Sequence, residues 1–207
     1  MDKIVCFGKN YAAHMRELGD EAVTQPVIFL KPASVLRQCP AWGDSLDITL
    51  TAAATHYECE LVIQLAHGGY QLSSEQARAA IGAYSIGLDM TLRVAQTELK
   101  KAGHPWTTAK VFPDAAIIGP WIATTDLDFL DEEFSFSLDQ HLRQQAHGRQ
   151  MLFDPVALIV YASSFFPLCA GDILFTGTPA GVGAVTPGAV GQLRLGGYHY
   201  SVNFKAN

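Results

Sequence analysis

Between Tyr57 and Leu65 the chain alternates residue by residue. Tyr57, Cys59, Leu61, Ile63 and Leu65 share one face of a predicted strand, and Glu58, Glu60 and Val62 share the other. Such a strand has to bury its apolar face against a second layer, and this sets the fold class more firmly than any other stretch. Residues two apart on a strand point the same way, so Glu58 and Glu60 have side-chain origins about 7 Å apart. Two carboxylates placed so either lie on a solvated face or converge on a divalent cation, because without one they repel each other. Charged residues make up only 16% of the chain, so a pair of glutamates on this strand calls for a reason. Oxygen ligands without a Cys or His cluster favour Mg²⁺, Mn²⁺ or Ca²⁺ over zinc.

The flanking sequence supplies more strands than helices. Ile4–Phe7, Val27–Leu30, Tyr84–Leu88 and Ile173–Thr176 read as strands. Asn10 is a candidate N-cap for a helix over residues 11–18 closed by Gly19, and Ser73 with Gln76 fits a capping box for a helix to about Ile81. Thr91 is the expected cap of a helix to Ala102, with Leu92, Ala95, Leu99 and Ala102 on its core side and Gly103 as its stop. Asp154-Pro155 opens a further helix that Pro167 ends. With 207 residues, 49% hydrophobic, and no linker-like stretch or repeat, the expectation is one α+β domain over residues 1–207: strand-rich mixed β-structure with flanking helices.

Composition also excludes. A net charge of −6 with scattered charges gives no basic stripe for nucleic acid. The most apolar segment, residues 155–170, is broken by Ser163, Ser164 and Pro167 and falls short of the about 20 residues that cross a bilayer, so it reads as a core helix. Cys6, Cys39, Cys59 and Cys169 show no paired spacing, and Met1-Asp2-Lys3 does not resemble a secretory leader. A reduced, cytoplasmic protein is expected.

Other candidates are weaker one by one. Asp89 ends a strand, where it either caps the next helix or joins the glutamates. Arg93 and Gln96 are neighbours on that helix, on a solvated face or around a small anion. His14 and Glu17, three apart, form either a surface pair or a hydrogen-bonded dyad. Lys110 stands in a segment with little other charge, and a lone lysine is normally solvent-facing. The turn Gly177-Thr178-Pro179-Ala180-Gly181-Val182-Gly183 lacks the Gly-Lys-Ser/Thr ending of a P-loop, which argues against a nucleotide site.

Taken together, GKNYAAHMRELG, PVIFLKP, HYECELVIQL, IGLDMTLRVAQ, GHPWTTAKVF, IIGPWI and GDILFTGTPAGVG resemble the fumarylacetoacetate hydrolase family, in its short acylpyruvate hydrolase and oxaloacetate decarboxylase branch. The resemblance runs from about Gly8 to Gly183. It implies that Glu58, Glu60 and Asp89 are metal ligands for Mg²⁺ or Mn²⁺, that Lys110 is an active-site lysine, and that Arg93, Gln96 and Thr178 line the substrate site. It implies further that His14 and Glu17 form a His–Glu dyad on a segment closing over substrate, and that the protein is a homodimer. The implied activity is C–C bond hydrolysis of a small acylpyruvate-type 2-oxoacid through its enolate, with His14 as water-activating base. Oxaloacetate decarboxylation or tautomerisation, or isomerisation of a 2-hydroxymuconate-type compound, are the alternatives on the same site. A catalytically weak 2-oxoacid-binding paralogue is the alternative of another class. The chain departs from the family pattern at Val94 (often Asp), at Val111-Phe112-Pro113 after the lysine, at Asp139 and at His147-Gly148-Arg149.

Overall fold

The computed structural model describes residues 1–19, 23–51 and 54–207. Its largest element is an eight-stranded mixed sheet. The strands run in the order Val27–Pro32, Lys3–Gly8, Ile173–Phe175, Cys59–Leu65, Ile81–Asp89, Ala116–Ile118 and Leu36–Gln38, with Ile122–Ala123 also paired to Ile81–Asp89. A five-stranded sheet, ordered His141–His147, Glu133–Leu138, Val190–Leu195, Tyr198–Lys205 and Ser45–Thr49, packs beside it. A small third sheet joins Gly183–Ala184, Thr55–Tyr57 and Thr91–Leu92. The strand-rich α+β expectation therefore holds. The main apolar core spans the first two sheets, with Leu61, Ile63, Ile86 and Leu88 from one and Phe134, Phe136, Leu193 and Tyr200 from the other.

The alternating segment is split in the structure. Thr55–Tyr57 belongs to the small sheet and Cys59–Leu65 to the large one, so the chain passes from one sheet to the other at Glu58. Cys59–Leu65 is buried on both faces apart from Gln64, so the carboxylate face is not solvated. Antiparallel pairing of Cys59 with Leu88 and of Glu60 with Gly87 brings the end of Ile81–Asp89 alongside the glutamates.

Among the described residues five α-helices flank the sheets: α1 (Ala12–Leu18), α2 (Ser74–Ala80), α3 (Arg93–Ala102), α4 (Thr107–Lys110) and α5 (Pro155–Ser163). Ser73 and Gln76 form the expected capping box, and Asp154 caps α5 through the Ala157 N–H. Gly19 and Gly103 close α1 and α3 in the left-handed conformation. Two caps differ from expectation. Asn10 does not cap α1; its buried side chain donates to the Phe153 and Thr176 carbonyls and accepts from the Phe153 N–H. Thr91 lies in the small sheet with its hydroxyl turned to the Asp89 carbonyl, so α3 begins without a side-chain cap. The expected core face of α3 is also shifted: Gln96 is buried and Ala102 exposed. α5 ends at Ser163, ahead of Pro167, where the Ser163 hydroxyl accepts from the Leu72 N–H. Among the described residues no helix is long and apolar enough to cross a membrane.

Asn10 joins three separate segments through buried bonds, so Asn10→Ala is expected to lower unfolding stability by about 2–4 kcal/mol. Ser73→Ala, which removes one exposed cap bond, is expected to cost about 1 kcal/mol. Denaturant titration of both variants measures the difference, and equal losses would contradict the structural weight given to Asn10.

Candidate active site

Glu58, Glu60 and Asp89 converge. Each offers a carboxylate oxygen within 4.8 Å of the others, and all three are buried. The geometry follows from pairing: Glu58 stands at the junction of two sheets, Glu60 two residues on, and Asp89 at the end of the neighbouring strand, its N–H donating to the Glu58 carbonyl.

Three cations answer two of the three carboxylates, Glu58 and Asp89. Lys110, from the last position of α4, donates to Glu58 Oε2 at 2.6 Å, to Asp89 Oδ2 at 2.8 Å and to the Thr91 hydroxyl at 2.7 Å. It is 2% exposed, which reverses the expectation for a lone lysine. Arg93, at the start of α3, binds Glu58 Oε1 and donates to Gln96 Oε1 at 2.7 Å. Lys31 was not singled out from sequence. It is fully buried, lies 2.5 Å from Asp89 Oδ1 and donates to the Met90 and Ala115 carbonyls. The PVIFLKP run contained it, but nothing local distinguishes this lysine from a surface one.

Burial and neighbouring charges decide how Glu58, Lys110 and Glu60 titrate. Burial alone would raise the Glu58 carboxyl, but Lys110 and Arg93 outweigh it and hold that group far below the usual carboxylate range. Burial likewise disfavours the Lys110 ammonium, yet Asp89 and Glu58 keep it firmly charged. Glu60 accepts the Gly177 N–H at 2.6 Å and has no salt-bridged cation among the described residues. Burial, and then the facing carboxylates of Asp89 and Glu58, push it well above the ordinary range. The donor set is all oxygen, and one member lacks a counter-ion. These residues fit a hard divalent cation.

The Gly-rich turn closes the site from the opposite side. Gly177 has φ +98°, and a Cβ there would meet Asn10 Cβ at 2.7 Å. Its freedom lets the turn aim the Gly177 N–H at Glu60. Thr178 donates from its hydroxyl to the Cys59 carbonyl and accepts from Gln144 Nε2, both at 2.8 Å. Gln144 also donates to the Pro179 carbonyl and accepts from the Cys59 N–H. It therefore ties the glutamate strand to the turn, a role hidden from sequence because its partners lie 34 to 85 residues away.

His14 and Glu17 form the dyad, Nδ1 to Oε2 at 3.1 Å, with His14 buried and Glu17 exposed. The Gly181 N–H donates to both Glu17 oxygens, at 3.1 and 3.2 Å. A cavity of about 50 Å³ is lined by His14, Glu58, Glu60, Asp89, Arg93, Gln96, Lys110 and Thr178 together with Lys9, Phe29, Lys100 and Trp106. All the residues singled out from sequence thus meet around one cavity, except Glu17, which stands behind His14. Of the departures, Val94 is 66% exposed on α3, away from the Arg93–Gln96 bond, while Arg93 Nε is buried without a hydrogen bond. Asp139 takes a left-handed φ of +50°, a conformation an aspartate tolerates.

A strand-borne carboxylate triad that could hold a hard cation, with buried lysines and facing a Gly-rich turn and a His–Glu pair, is the class of site this fold builds. The family model for the fumarylacetoacetate (FAA) hydrolase C-terminal region matches residues 3–199, and the chain belongs to that family. It is 37% identical over 190 residues to the oxaloacetate tautomerase YcgM of Escherichia coli K12, covering 91% of this chain and 85% of that one. It is 36% identical over 204 residues to a mitochondrial oxaloacetate decarboxylase of Dictyostelium discoideum, covering 98% and 92%. Among solved structures it is similar to a fumarylpyruvate hydrolase from Pseudomonas aeruginosa in complex with Mn²⁺ and pyruvate. That match has a TM-score of 0.91 and 34% identity, covering 99% of this chain and 90% of the other.

A carboxyl that holds its proton more tightly folded than unfolded lowers stability once pH exceeds its ordinary value, 4.5 for Glu60. The metal-free protein therefore gains stability from Glu60 as pH falls toward that value. Glu58, held low, acts oppositely and loses its contribution as pH drops below the same value. Glu60→Gln is expected to raise the melting temperature of the metal-free protein at pH 7 and to abolish any increase on adding Mn²⁺. Thermal melts with and without Mn²⁺ check both, and a lower metal-free melting point would contradict the account.

Proposed function

We propose that this protein is a divalent-cation-dependent enzyme acting on the enol and enolate forms of a small 2-oxoacid, with keto–enol tautomerisation of oxaloacetate as its activity. The observation that carries the reading is the buried Glu58–Glu60–Asp89 cluster with Lys110 across it and His14 on the same cavity. The likeness to the oxaloacetate tautomerase of Escherichia coli, and to oxaloacetate tautomerases of rice at 35% and 36% identity, supports this activity. A second reading, C–C hydrolysis of an acylpyruvate, is favoured by the likeness to the fumarylpyruvate hydrolase. The dyad that pointed to hydrolysis serves tautomerisation equally, because both need a base at the ligand.

Glu58, Glu60 and Asp89 would hold Mg²⁺ or Mn²⁺, which supplies Lewis-acid polarisation of the 2-oxo and carboxylate oxygens. Lys110, Arg93 and Lys31 offset the carboxylates, so the pocket tolerates negative charge developing on the 2-oxo oxygen. Glu17 accepts a proton-bearing Nδ1 and fixes the His14 tautomer with Nε2 as the basic atom. In tautomerisation that atom takes a proton from one of C3 and the 2-oxygen and delivers one to the other, interconverting keto and enol forms; in hydrolysis it takes one from water. Gln96 and Thr178 line the same cavity, where they would flank the ligand. A cytoplasmic homodimer is part of the proposal.

Asp89→Ala is expected to abolish cation-dependent conversion of enol to keto oxaloacetate, followed by ultraviolet absorbance with an EDTA control. His14→Ala is expected to lower kcat by about 100- to 10,000-fold while oxalate binding persists. A rise in KM alone would make His14 a ligand contact and not the base. Mn²⁺-dependent pyruvate release from fumarylpyruvate without oxaloacetate turnover would favour the second reading.

A further inference from the structure

A second cavity, of about 370 Å³, adjoins the one at the carboxylates, and Phe29, Trp106 and Lys110 line both. The first holds only about 50 Å³, so a ligand whose head sits there has little room for the rest of its chain. The wider space is bounded by Val27 and Leu30 on the strand Val27–Pro32 and by His104 and Pro105 just after α3. Val27 and Phe29, two apart, share one face of that strand. Trp106 packs on Phe29 with ring centres 5.7 Å apart. Among the described residues the strand pairs on one side only, with Lys3–Gly8, and Leu30 is left 44% exposed.

Charge is scarce on this wall. His104 and Lys110 are its titratable residues, and Lys110 is engaged by Glu58 and Asp89. A distal carboxylate entering here would exchange its water for His104 alone, whereas an aliphatic chain gains by leaving water. Resting on the reading of the first cavity as a 2-oxoacid site, we propose that the second is its tail subsite. It takes the straight aliphatic chain of a 2-oxoacid whose head lies at Glu58, Glu60 and Asp89, the chain crossing Phe29 and Trp106. Monocarboxylic 2-oxoacids of about five or six carbons are thus a ligand class of this protein beyond oxaloacetate. Val27 and Leu30 are specificity-determining residues, which select by the tail and take no part in proton transfer.

Isothermal titration of the Mn²⁺-loaded protein with 2-oxobutyrate, 2-oxovalerate and 2-oxohexanoate tests this, because binding is read whatever reaction follows. Affinity is expected to rise about 2- to 4-fold with each added methylene, or about 4- to 15-fold from the shortest acid to the longest. Val27→Asn, which sets a polar amide in the wall, is expected to lower that overall ratio about 3-fold. It should leave the affinity for oxalate, which has no tail, unchanged. Leu30→Asn carries the same expectation and is the reading to take if Val27→Asn no longer holds oxalate. Phe165→Asn, at a 62% exposed apolar position outside both cavities, is expected to keep the wild-type ratio. A flat wild-type series would overturn the tail subsite and leave that wall to a second copy of the chain. A rise untouched by both wall variants, or lost equally in Phe165→Asn, would also overturn it. A wild-type protein that binds neither Mn²⁺ nor oxalate would instead overturn the reading of the first cavity.

Discussion

The ammonium of Lys110 lies between two buried carboxylates and touches both, and the site is built around that contact. Burying charges is expensive, and replacing such a network with apolar side chains is often neutral or stabilising. A network kept at that expense fixes geometry: Glu58 and Asp89 cannot rotate away while one lysine spans them and Lys31 pins the far oxygen of Asp89. The large sheet serves this contact. Its antiparallel pair delivers Glu60 and Asp89, and the strand Val27–Pro32 at its edge delivers Lys31.

Local pattern was enough for much of the fold. The Ser73–Gln76 box, Asp154-Pro155 and the closing glycines each act through neighbours a few residues away, and each stands in the structure, while the alternating run stands as a strand only over residues 59–65. Asn10 failed as a cap because its buried side chain binds backbone 143 and 166 residues away, and Thr91 because its hydroxyl turns to the Asp89 carbonyl two residues back and accepts from Lys110.

The candidate site was legible in its acids and dyad and less so in its supports. Glu58 and Glu60 announce themselves by sharing a strand face in a chain short of charge. Lys31 and Gln144 do not, because what makes them matter is the identity of groups 34 to 85 residues away. The solvated-face readings of Glu58, Glu60, Gln96, Lys110 and His14 all gave way to burial. Spacing reports which residues can meet; only packing against a second layer says whether water is present when they do.

Glu17 orients His14 and also receives the Gly181 N–H, so one carboxylate joins α1 to the Gly-rich turn. Seating the helix and aligning the imidazole are therefore a single event. Should α1 lift from the turn, the His14 imidazole loses its alignment as it leaves the cavity wall. The chain thus carries an interlock of the kind found on machinery, in which the guard has to be in place before the moving part can engage.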